Sequence, residues 1–407
     1  MNTKMMKAID CYVGVPICFV LGFVRKIEIF FRLFFTKKQA DVPKQILIMK
    51  FFGMGSILLA SPLIKSIKKQ YPLIKIGFLT FSENQDIVDR LSLVDNVYSL
   101  RTDNPTNFIV DLIKSIWKIR KQRYDITIDM EFFSKFSTIM TYISGSRIKI
   151  GYFLRQMWRG NLLTHHVYYN HYKHITEVFG ALASPIGIKI SDYTLSIPKI
   201  SEIEDSISTR ILEKEGVASK DVLIGFNVNV SDLSHERRWP MQSFKTLAEM
   251  LLNELDIKIV FIGTPMDIPY VSELIHRVKD ISRIVNLAGK TNLGELVGVL
   301  GRLSLFITND SGPLHIATAL SIPTVSFFGP ETPTLYGPIS GNNLVFYKEI
   351  YCSPCLNVFN VKTAPCNGHN VCMQTIEPEE VIATIRSHFN ILWRTHRFDN
   401  ESPIIKL

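Results

Sequence analysis

Five short segments of this chain carry residue types whose spacing suits an anionic, hydroxyl-bearing ligand. Lys50-Phe-Phe-Gly53-Met-Gly55-Ser56 follows an apolar run. Its glycines let a backbone turn sharply against a ligand, and a helix amino terminus beyond them favours an anion or a hydroxyl. No Gly-Lys-Ser/Thr follows, so it is not a Walker loop, and the third glycine of a dinucleotide fingerprint is missing. Asn309-Asp310-Ser311-Gly312-Pro313-Leu314-His315 also leaves a strand for a helix. Backbone amides and the Ser311 hydroxyl at that helix start suit a diphosphate, with His315 one turn in. An N-cap at Asp310 or Ser311 is the plainer reading, but Gly329-Pro330-Glu331-Thr332-Pro333 after the next strand favours a ligand site. Ser231–Pro240 ends Arg237-Arg238-Trp239-Pro240; paired guanidinium groups before a helix can grip phosphates, while the tryptophan reads as packing. Gly263-Thr264-Pro265-Met266-Asp267 closes another strand, and Asp267 is either an acceptor for a ribose or base, or an N-cap.

Cys352, Cys355, Cys366 and Cys372 gather four of the six cysteines. Four thiolates suit a structural zinc, with His369 as a substitute ligand, and two disulfides are the alternative in an oxidising compartment. No cleavable signal is evident, which favours reduced thiols. Cys11 and Cys18 lie in an apolar run and read as plain apolar residues.

The elements that must position these groups alternate. Residues 46–49, 74–80 and 125–131 read as buried strands, with helices over 56–70, 106–123 and 134–144. After a polar stretch from Lys199 to Asp205, the alternation restarts. Strands are expected at 222–227, 257–263, 284–287, 305–308 and 324–328, and helices at 240–254, 267–278, 292–300 and 312–320. Continuous apolar strands alternating with helices mean parallel sheets covered on both faces. The sequence therefore predicts two doubly wound α/β domains, 41–200 and 201–377, their sites at the carboxyl ends of the strands. Residues 378–407 supply a closing helix, over roughly 378–395 and long enough to return to the first domain, and a tail.

A length of 407 residues suits two such domains, and 46% hydrophobic with 20% charged residues excludes a disordered chain. The net charge of +9 is unevenly spread: residues 1–200 hold 28 Lys/Arg against 14 Asp/Glu, and residues 201–407 hold 18 against 23. A uniformly basic nucleic-acid binder would not divide this way; the basic half is suited to an anionic surface or substrate. Within residues 1–40, the uncharged run Tyr12–Val24 is too short to span a bilayer and is interrupted by Pro16. Drawn as a helix, Phe23, Ile27, Phe30 and Phe34 fall opposite Arg25, Glu28 and Arg32, with Lys37 and Lys38 closing the segment. That pattern suits a helix lying in a membrane interface; packing on the protein's own core is the alternative.

Lys50–Ser56 with Ser61-Pro62-Leu63 and Gln70-Tyr71-Pro72, then Arg237-Arg238-Trp239-Pro240, then Asp310-Ser311-Gly312, His315 and Gly329-Pro330 together resemble glycosyltransferase family 9. These are the ADP-heptose:lipopolysaccharide heptosyltransferases and their relatives. The resemblance implies a GT-B architecture, with an acceptor domain and a nucleotide-sugar domain facing each other across a cleft. It implies an inverting glycosyltransferase that moves a heptose or similar sugar from a nucleotide-diphosphate donor, ADP-heptose-like, to a lipopolysaccharide or other anionic envelope acceptor. No cofactor or metal would be required for transfer, and the enzyme would be peripheral on the inner face of the cytoplasmic membrane.

Carried over by position, Arg237 takes the place of a phosphate-binding lysine and Asp267 that of a glutamate contacting the donor nucleoside. Asp310, Ser311, Gly312 and His315 match the donor motif, and Ser231 stands at a hydroxyl position near the phosphates. Lys50, Gly53 and Gly55 form the acceptor-side loop. Ser56 replaces the aspartate proposed as general base in the family. Serine is a poor base, so Asp129 and Glu131, at the end of a first-domain strand, are the substitutes. Two rival functions stay open on the sequence: a sugar-nucleotide epimerase of the same architecture, and a non-catalytic homologue that binds donor or glycan.

Overall fold

The computed structural model describes residues 3–35, 42–132, 134–231, 234–339, 341–360, 362–366 and 368–389. Lys37, Lys38 and the tail beyond residue 389 lie outside the described residues, as do the side chains of Arg32 and Phe34. The chain divides into two compact units, Met1–Ser196 and Ile197–Leu407.

In the first unit, β1 (Gln45–Met49), β2 (Lys75–Phe81), β3 (Asn96–Leu100), β4 (Ile126–Asp129), β5 (Ile148–Phe153) and β6 (His165–Tyr168) form one sheet. Its order is β3-β2-β1-β4-β5-β6, and every pairing is parallel. The second unit repeats the scheme with β7 (Leu223–Asn227), β8 (Lys258–Phe261), β9 (Ile284–Asn286), β10 (Leu305–Asn309), β11 (Thr324–Phe328) and β12 (Asn343–Tyr347). The order is β12-β11-β10-β7-β8-β9, again all parallel. Ile46 to Met49 are fully buried, and β7, β10 and β11 are buried at every position. Helices cover both faces, which is why these strands read as unbroken apolar runs. In each sheet, strand addition reverses direction between two central strands: β1 and β4, then β7 and β10. Such a switch point opens a crevice beyond the carboxyl ends of the strands.

Three features depart from the sequence expectation. The stretch Lys199–Asp205 is not a bare linker, because the helix Glu202–Lys214 starts in it. A capping box fixes that start: the Ser201 hydroxyl accepts from Glu204 N, and the Glu204 carboxylate accepts from Ser201 N. The closing helix, Pro378–His388 in its described part, completes the core of the second unit. Val381, Ile382 and Ile385 are buried there, and Arg386 Nη2 lies 2.6 Å from Glu254 Oε1 on the helix Met241–Glu254. The sequence had it returning to the first domain; its apolar face is instead used up within the second.

The third departure is at the amino end, where two helices, Thr3–Tyr12 and Gly14–Phe35, are docked on the helix Lys135–Ile143. Asp10 caps that helix. Its Oδ1 accepts from Phe136 N at 2.7 Å and Ser134 Oγ at 3.0 Å, and its Oδ2 from Lys135 N at 3.1 Å. Gly22 lets the docked helix approach closely, since a Cβ there would lie 2.6 Å from Gly160 O. Gly160 has φ +75° and a Cβ on it would lie 2.3 Å from Cys18 O, so neither position admits a side chain. Cys18 is buried with Ile139 and Leu162. Away from this seam Phe19, Phe23, Phe30 and Phe31 are 68%, 64%, 59% and 57% exposed. One side of this helix thus packs on the protein's own core, the alternative the sequence offered, and an apolar side is left open.

Candidate active site

The expected donor residues converge at the switch point between β7 and β10. Arg237 closes a short 3₁₀ turn, His235–Arg237, and reaches 73 residues along the chain. Its Nη1 donates to Asp310 O at 3.1 Å and Asp310 Oδ2 at 3.2 Å, and its Nη2 to Ser231 Oγ at 2.7 Å. The Asp310 carboxylate is buried, so this is a charge-assisted pair in a poorly hydrated setting. Ser231, Arg237 and Asp310 are therefore brought together. Arg238 is not part of that group: its guanidinium lies over the Tyr270 ring, 4.5 Å from the centroid. Trp239 has the packing role, fully buried against Phe327 at 4.1 Å, with Nε1 donating to Ile376 O at 2.9 Å.

Ser311 is the N-cap of the helix Gly312–Ala319, but its hydroxyl does not cap it. The Oγ instead accepts from Asn227 Nδ2 at 2.8 Å and sits 3.1 Å from Thr308 Oγ1. That corrects the expectation of a hydroxyl offered to a ligand. What remains for a ligand at Ser311 and Gly312 is the amide end of the helix, whose first N–H groups have no intrahelical acceptor. His315 is buried one turn further in. Asp267 holds its own turn in a capping box, its Oδ2 accepting from Thr264 N at 2.8 Å and Thr264 Oγ1 at 2.7 Å. The N-cap reading is corrected, because Asp267 makes no side-chain cap bond to the helix Ile268–His276 that follows it; its Oδ1 has no hydrogen bond among the described residues.

In the first unit the residues after β1 and β4 meet at the other switch point. Glu131 Oε1 accepts from Lys50 Nζ at 2.8 Å, Phe51 N at 2.6 Å and Phe52 N at 3.1 Å. Lys50 also donates to Phe52 O at 2.8 Å, and Gly53 turns the chain at φ +87° into the helix Met54–Leu59. Glu131 Oε2 has no partner among the described residues. Ser56 is half-buried one turn beyond Gly53, and Gly55 is buried. Asp129 differs from Glu131. It is fully buried, and its Oδ2 accepts from Ser137 Oγ at 2.9 Å, Arg159 Nη1 at 3.0 Å and Thr138 Oγ1 at 3.2 Å. Its Oδ1 accepts from Glu131 N at 3.0 Å. Burial pushes the Asp129 carboxyl up and the Arg159 guanidinium down, each opposed by the other's charge. Asp129 is a saturated framework carboxylate that orients Glu131.

The four clustered cysteines are free thiols, and among the described residues no three His, Cys, Asp or Glu side chains are placed to hold a metal ion. The structural zinc expected at Cys352, Cys355, Cys366 and Cys372 therefore has no assembled ligand set among the described residues. Cys372 is buried in the short helix Val371–Gln374, whereas the other three lie half-buried in the preceding loop. Burial, reinforced by the neighbouring thiols, pushes Cys355 and Cys372 up to about 11.

Asn229 escaped the sequence reading, and Glu331 entered it only within the segment Gly329–Pro333. Asn229 is 4% exposed, and neither atom of its amide has a hydrogen-bond partner among the described residues. Its Nδ2 lies 3.1 Å from the point where a Cβ on Gly263 would sit, and Asp267 Cβ lies 3.0 Å from the same point. Glu331, just beyond β11, is 3% exposed with Oε1 likewise unpartnered. The only sequence signal is position: a polar residue just past the carboxyl end of a strand, where a covered strand should leave none without purpose.

Two doubly wound units, each with its charged residues gathered at a switch point, are the make-up of a glycosyltransferase of the GT-B class. The sequence profile of glycosyltransferase family 9 (heptosyltransferase) matches residues 112–363, and the chain belongs to this family. It is 31% identical over 166 residues to lipooligosaccharide heptosyltransferase 2 of Campylobacter jejuni, a match covering 40% of this chain and 50% of that protein. It is 24% identical over 303 residues to lipooligosaccharide heptosyltransferase 2 of Haemophilus influenzae, covering 72% of this chain and 86% of that protein. Among solved structures, E. coli ADP-heptose lipopolysaccharide heptosyltransferase II aligns with a TM-score of 0.67 at 21% identity. That alignment covers 86% of this chain and 98% of the E. coli one, and it shows the shared fold.

Proposed function

We propose that the protein transfers a heptose, or a closely related sugar, from an ADP-sugar to an anionic, lipid-linked envelope saccharide, with inversion at the anomeric carbon. The observation that carries the donor half is the Arg237–Asp310–Ser231 group beside the amino end of the helix Gly312–Ala319. A guanidinium and a helix amino terminus together suit a diphosphate leaving group. The relatives are heptosyltransferases of lipopolysaccharide or lipooligosaccharide, which supports heptose as the sugar and such a glycan as the acceptor class.

In this reading the second unit holds the donor and the first receives the acceptor. Glu131 Oε2 takes the proton of the acceptor hydroxyl as that oxygen bonds to the anomeric carbon. The bond from the anomeric carbon to the β-phosphate oxygen breaks, and its electron pair leaves with the nucleoside diphosphate, stabilised by Arg237 and the helix amides. Lys50 and the two backbone N–H groups on Oε1 fix the carboxylate without occupying Oε2. An open pocket of about 400 Å³ elsewhere in this unit is lined by Lys173, Lys189 and Glu177. A second, of about 240 Å³, is lined by Arg155, Trp158, Arg159 and His166. Burial and the charges of Arg25 and Arg159 pull the pKa of His166 down. Those cations make the second pocket the one suited to a phosphorylated acceptor.

Asn229 belongs to the nucleoside end of the donor. Burying an amide with both atoms unpaired costs about 1–3 kcal/mol per group. Asn229→Leu is thus expected to raise the melting temperature of the ligand-free protein, by about 2–4 °C per kcal/mol gained, while weakening ADP binding. Calorimetric titration with ADP beside a thermal melt checks both; a less stable variant with unchanged ADP affinity would make Asn229 a packing residue.

The apolar side of the helix Gly14–Phe35 supports peripheral attachment to the inner membrane surface. Among the described residues no helix is long and apolar enough to cross a membrane, and exposed Phe side chains on a basic segment suit the interface instead. Replacing Phe19, Phe23 and Phe30 by Ser together is expected to release the protein from phosphatidylglycerol vesicles in a flotation assay, with its fold retained. Unchanged flotation would remove this helix from the attachment.

A further inference from the structure

Besides Arg237–Asp310, the donor unit contains an ion pair with a buried carboxylate that the family motif does not account for. Glu331 follows β11, and β11 pairs in parallel with β10, whose end carries Asp310. The loop after β12 is tied back onto the segment before Glu331. Cys355 N and Leu356 N both donate to Pro330 O, at 2.9 and 2.7 Å, and Ser353 Oγ donates to Gly329 O at 2.5 Å. Within the loop, Asn360 Nδ2 donates to Cys355 O at 2.6 Å. This scaffold delivers Lys362, whose ammonium pairs with Glu331 Oε2 and lies 4.6 Å from the centroid of the Tyr336 ring.

The pair is lopsided. Lys362 satisfies one oxygen of the carboxylate and leaves Oε1 buried and without a partner among the described residues. A carboxylate oxygen kept from water without a donor is costly unless something else supplies one. The group is near the proposed donor site, because the charges of both Asp310 and Arg237 act on it. Burial, against the pull of Lys362, pushes its carboxyl up, as expected for an oxygen still short of a donor.

We propose that Glu331, held by Lys362, is a recognition residue for the hydroxyl groups of the sugar carried by the donor, its Oε1 accepting from one of them. The chemistry is that of a neutral polyhydroxyl ring: vicinal hydroxyls donate well to a fixed carboxylate, and a phosphate would be repelled. This rests on the donor reading above and adds to it a discriminating contact on the sugar rather than on the nucleotide. A site built to hydrogen-bond a hydroxyl rejects ligands lacking it far more strongly than an apolar pocket rejects an extra group.

The test compares ADP with ADP-heptose by calorimetric titration on the full chain, for the wild type, Glu331→Leu, and the double variant Glu331→Leu/Lys362→Met. The wild type is expected to bind ADP-heptose more tightly than ADP. In both variants that advantage should fall by roughly 10-fold to 100-fold, the range for a hydrogen bond to a charged group, with ADP affinity within about twofold of the wild type. The double variant covers the case in which an orphaned Lys362 unsettles the loop. If the wild type binds neither ligand, the donor reading itself fails and this proposal with it. If the wild type prefers ADP-heptose and both variants keep the preference, or lose ADP to the same degree, the role of Glu331 alone is overturned.

Discussion

Glu131→Gln is expected to abolish sugar transfer while leaving donor binding intact. Glutamine keeps an oxygen where Lys50 Nζ, Phe51 N and Phe52 N now donate to Oε1, but it removes the counter-charge of the buried Lys50 ammonium. A loss of stability of about 3–5 kcal/mol is therefore expected beside the kinetic effect. What disappears is a proton acceptor at the free oxygen, and removing a positioned general base costs typically 10²–10⁴-fold in kcat. The residues proposed to bind the donor belong to the other unit, so the dissociation constant for ADP should stay put. Steady-state transfer assays with titration of ADP separate the two quantities, and a kcat within a few-fold of the wild type would remove Glu131 from the chemistry. Asp129→Asn is the contrasting case. It strips the charge from a carboxylate that holds Arg159, Ser137 and Thr138 in a fully buried site. Breaking a buried pair on one side costs about 3–5 kcal/mol, so this variant should lose stability first and activity as a consequence.

The second large effect is expected at Arg237. Its guanidinium ties Ser231 to Asp310 through both the carboxylate and the main-chain oxygen. Arg237→Ala leaves the Asp310 carboxylate, with its side chain 8% exposed, without its cation and the diphosphate without its nearest guanidinium. Truncating one member of such a pair costs about 2–5 kcal/mol in binding, so ADP affinity should fall by a factor on the order of 10² or more. Arg237→Lys restores the charge but not the fork that bonds Asp310 and Ser231 at once, and should recover only part of the loss. Asp310→Asn should reproduce a portion of the defect by freeing the guanidinium to swing. If all three variants bind ADP like the wild type, the switch point between β7 and β10 is not the donor site.

The pattern of β1, β7, β10 and β11 was legible because a strand covered on both faces is apolar throughout. β3, β5 and β6 were not: Asn96 and Ser99, Lys149, and His165 with His166 break the apolar run, and tertiary pairing at the flanks of the sheet outweighs that interruption. The site followed the same division. Arg237 and Asp310 were readable as residue types, but their mutual hydrogen bonds span 73 positions and belong to the fold. Ser311 was misjudged in direction, because whether a hydroxyl faces a ligand or Asn227 depends on a strand that the local motif does not contain. Asn229, and the unpartnered oxygen of Glu331 within the segment Gly329–Pro333, were invisible for a deeper reason. Having no partner is a property of everything around a group, and no spacing rule encodes it.

The cap that Asp10 places on the helix Lys135–Ile143 reaches further than the amino end. The same helix supplies Ser137 and Thr138 to Asp129, and Asp129 in turn accepts the backbone N–H of Glu131. The exposed Phe row and the carboxylate at Glu131 thus sit on one rigid block rather than at two ends of a tether. Under the proposed attachment, and with Glu131 as the base, membrane depth and chemistry would share a ruler: an acceptor hydroxyl would be served only at the height above the lipid that this block fixes, and glycans of different length would be sorted by reach before any contact reads their structure. By the same connection, a trimmed chain lacking the first forty residues would lose more than its address, and its activity would no longer report on targeting alone.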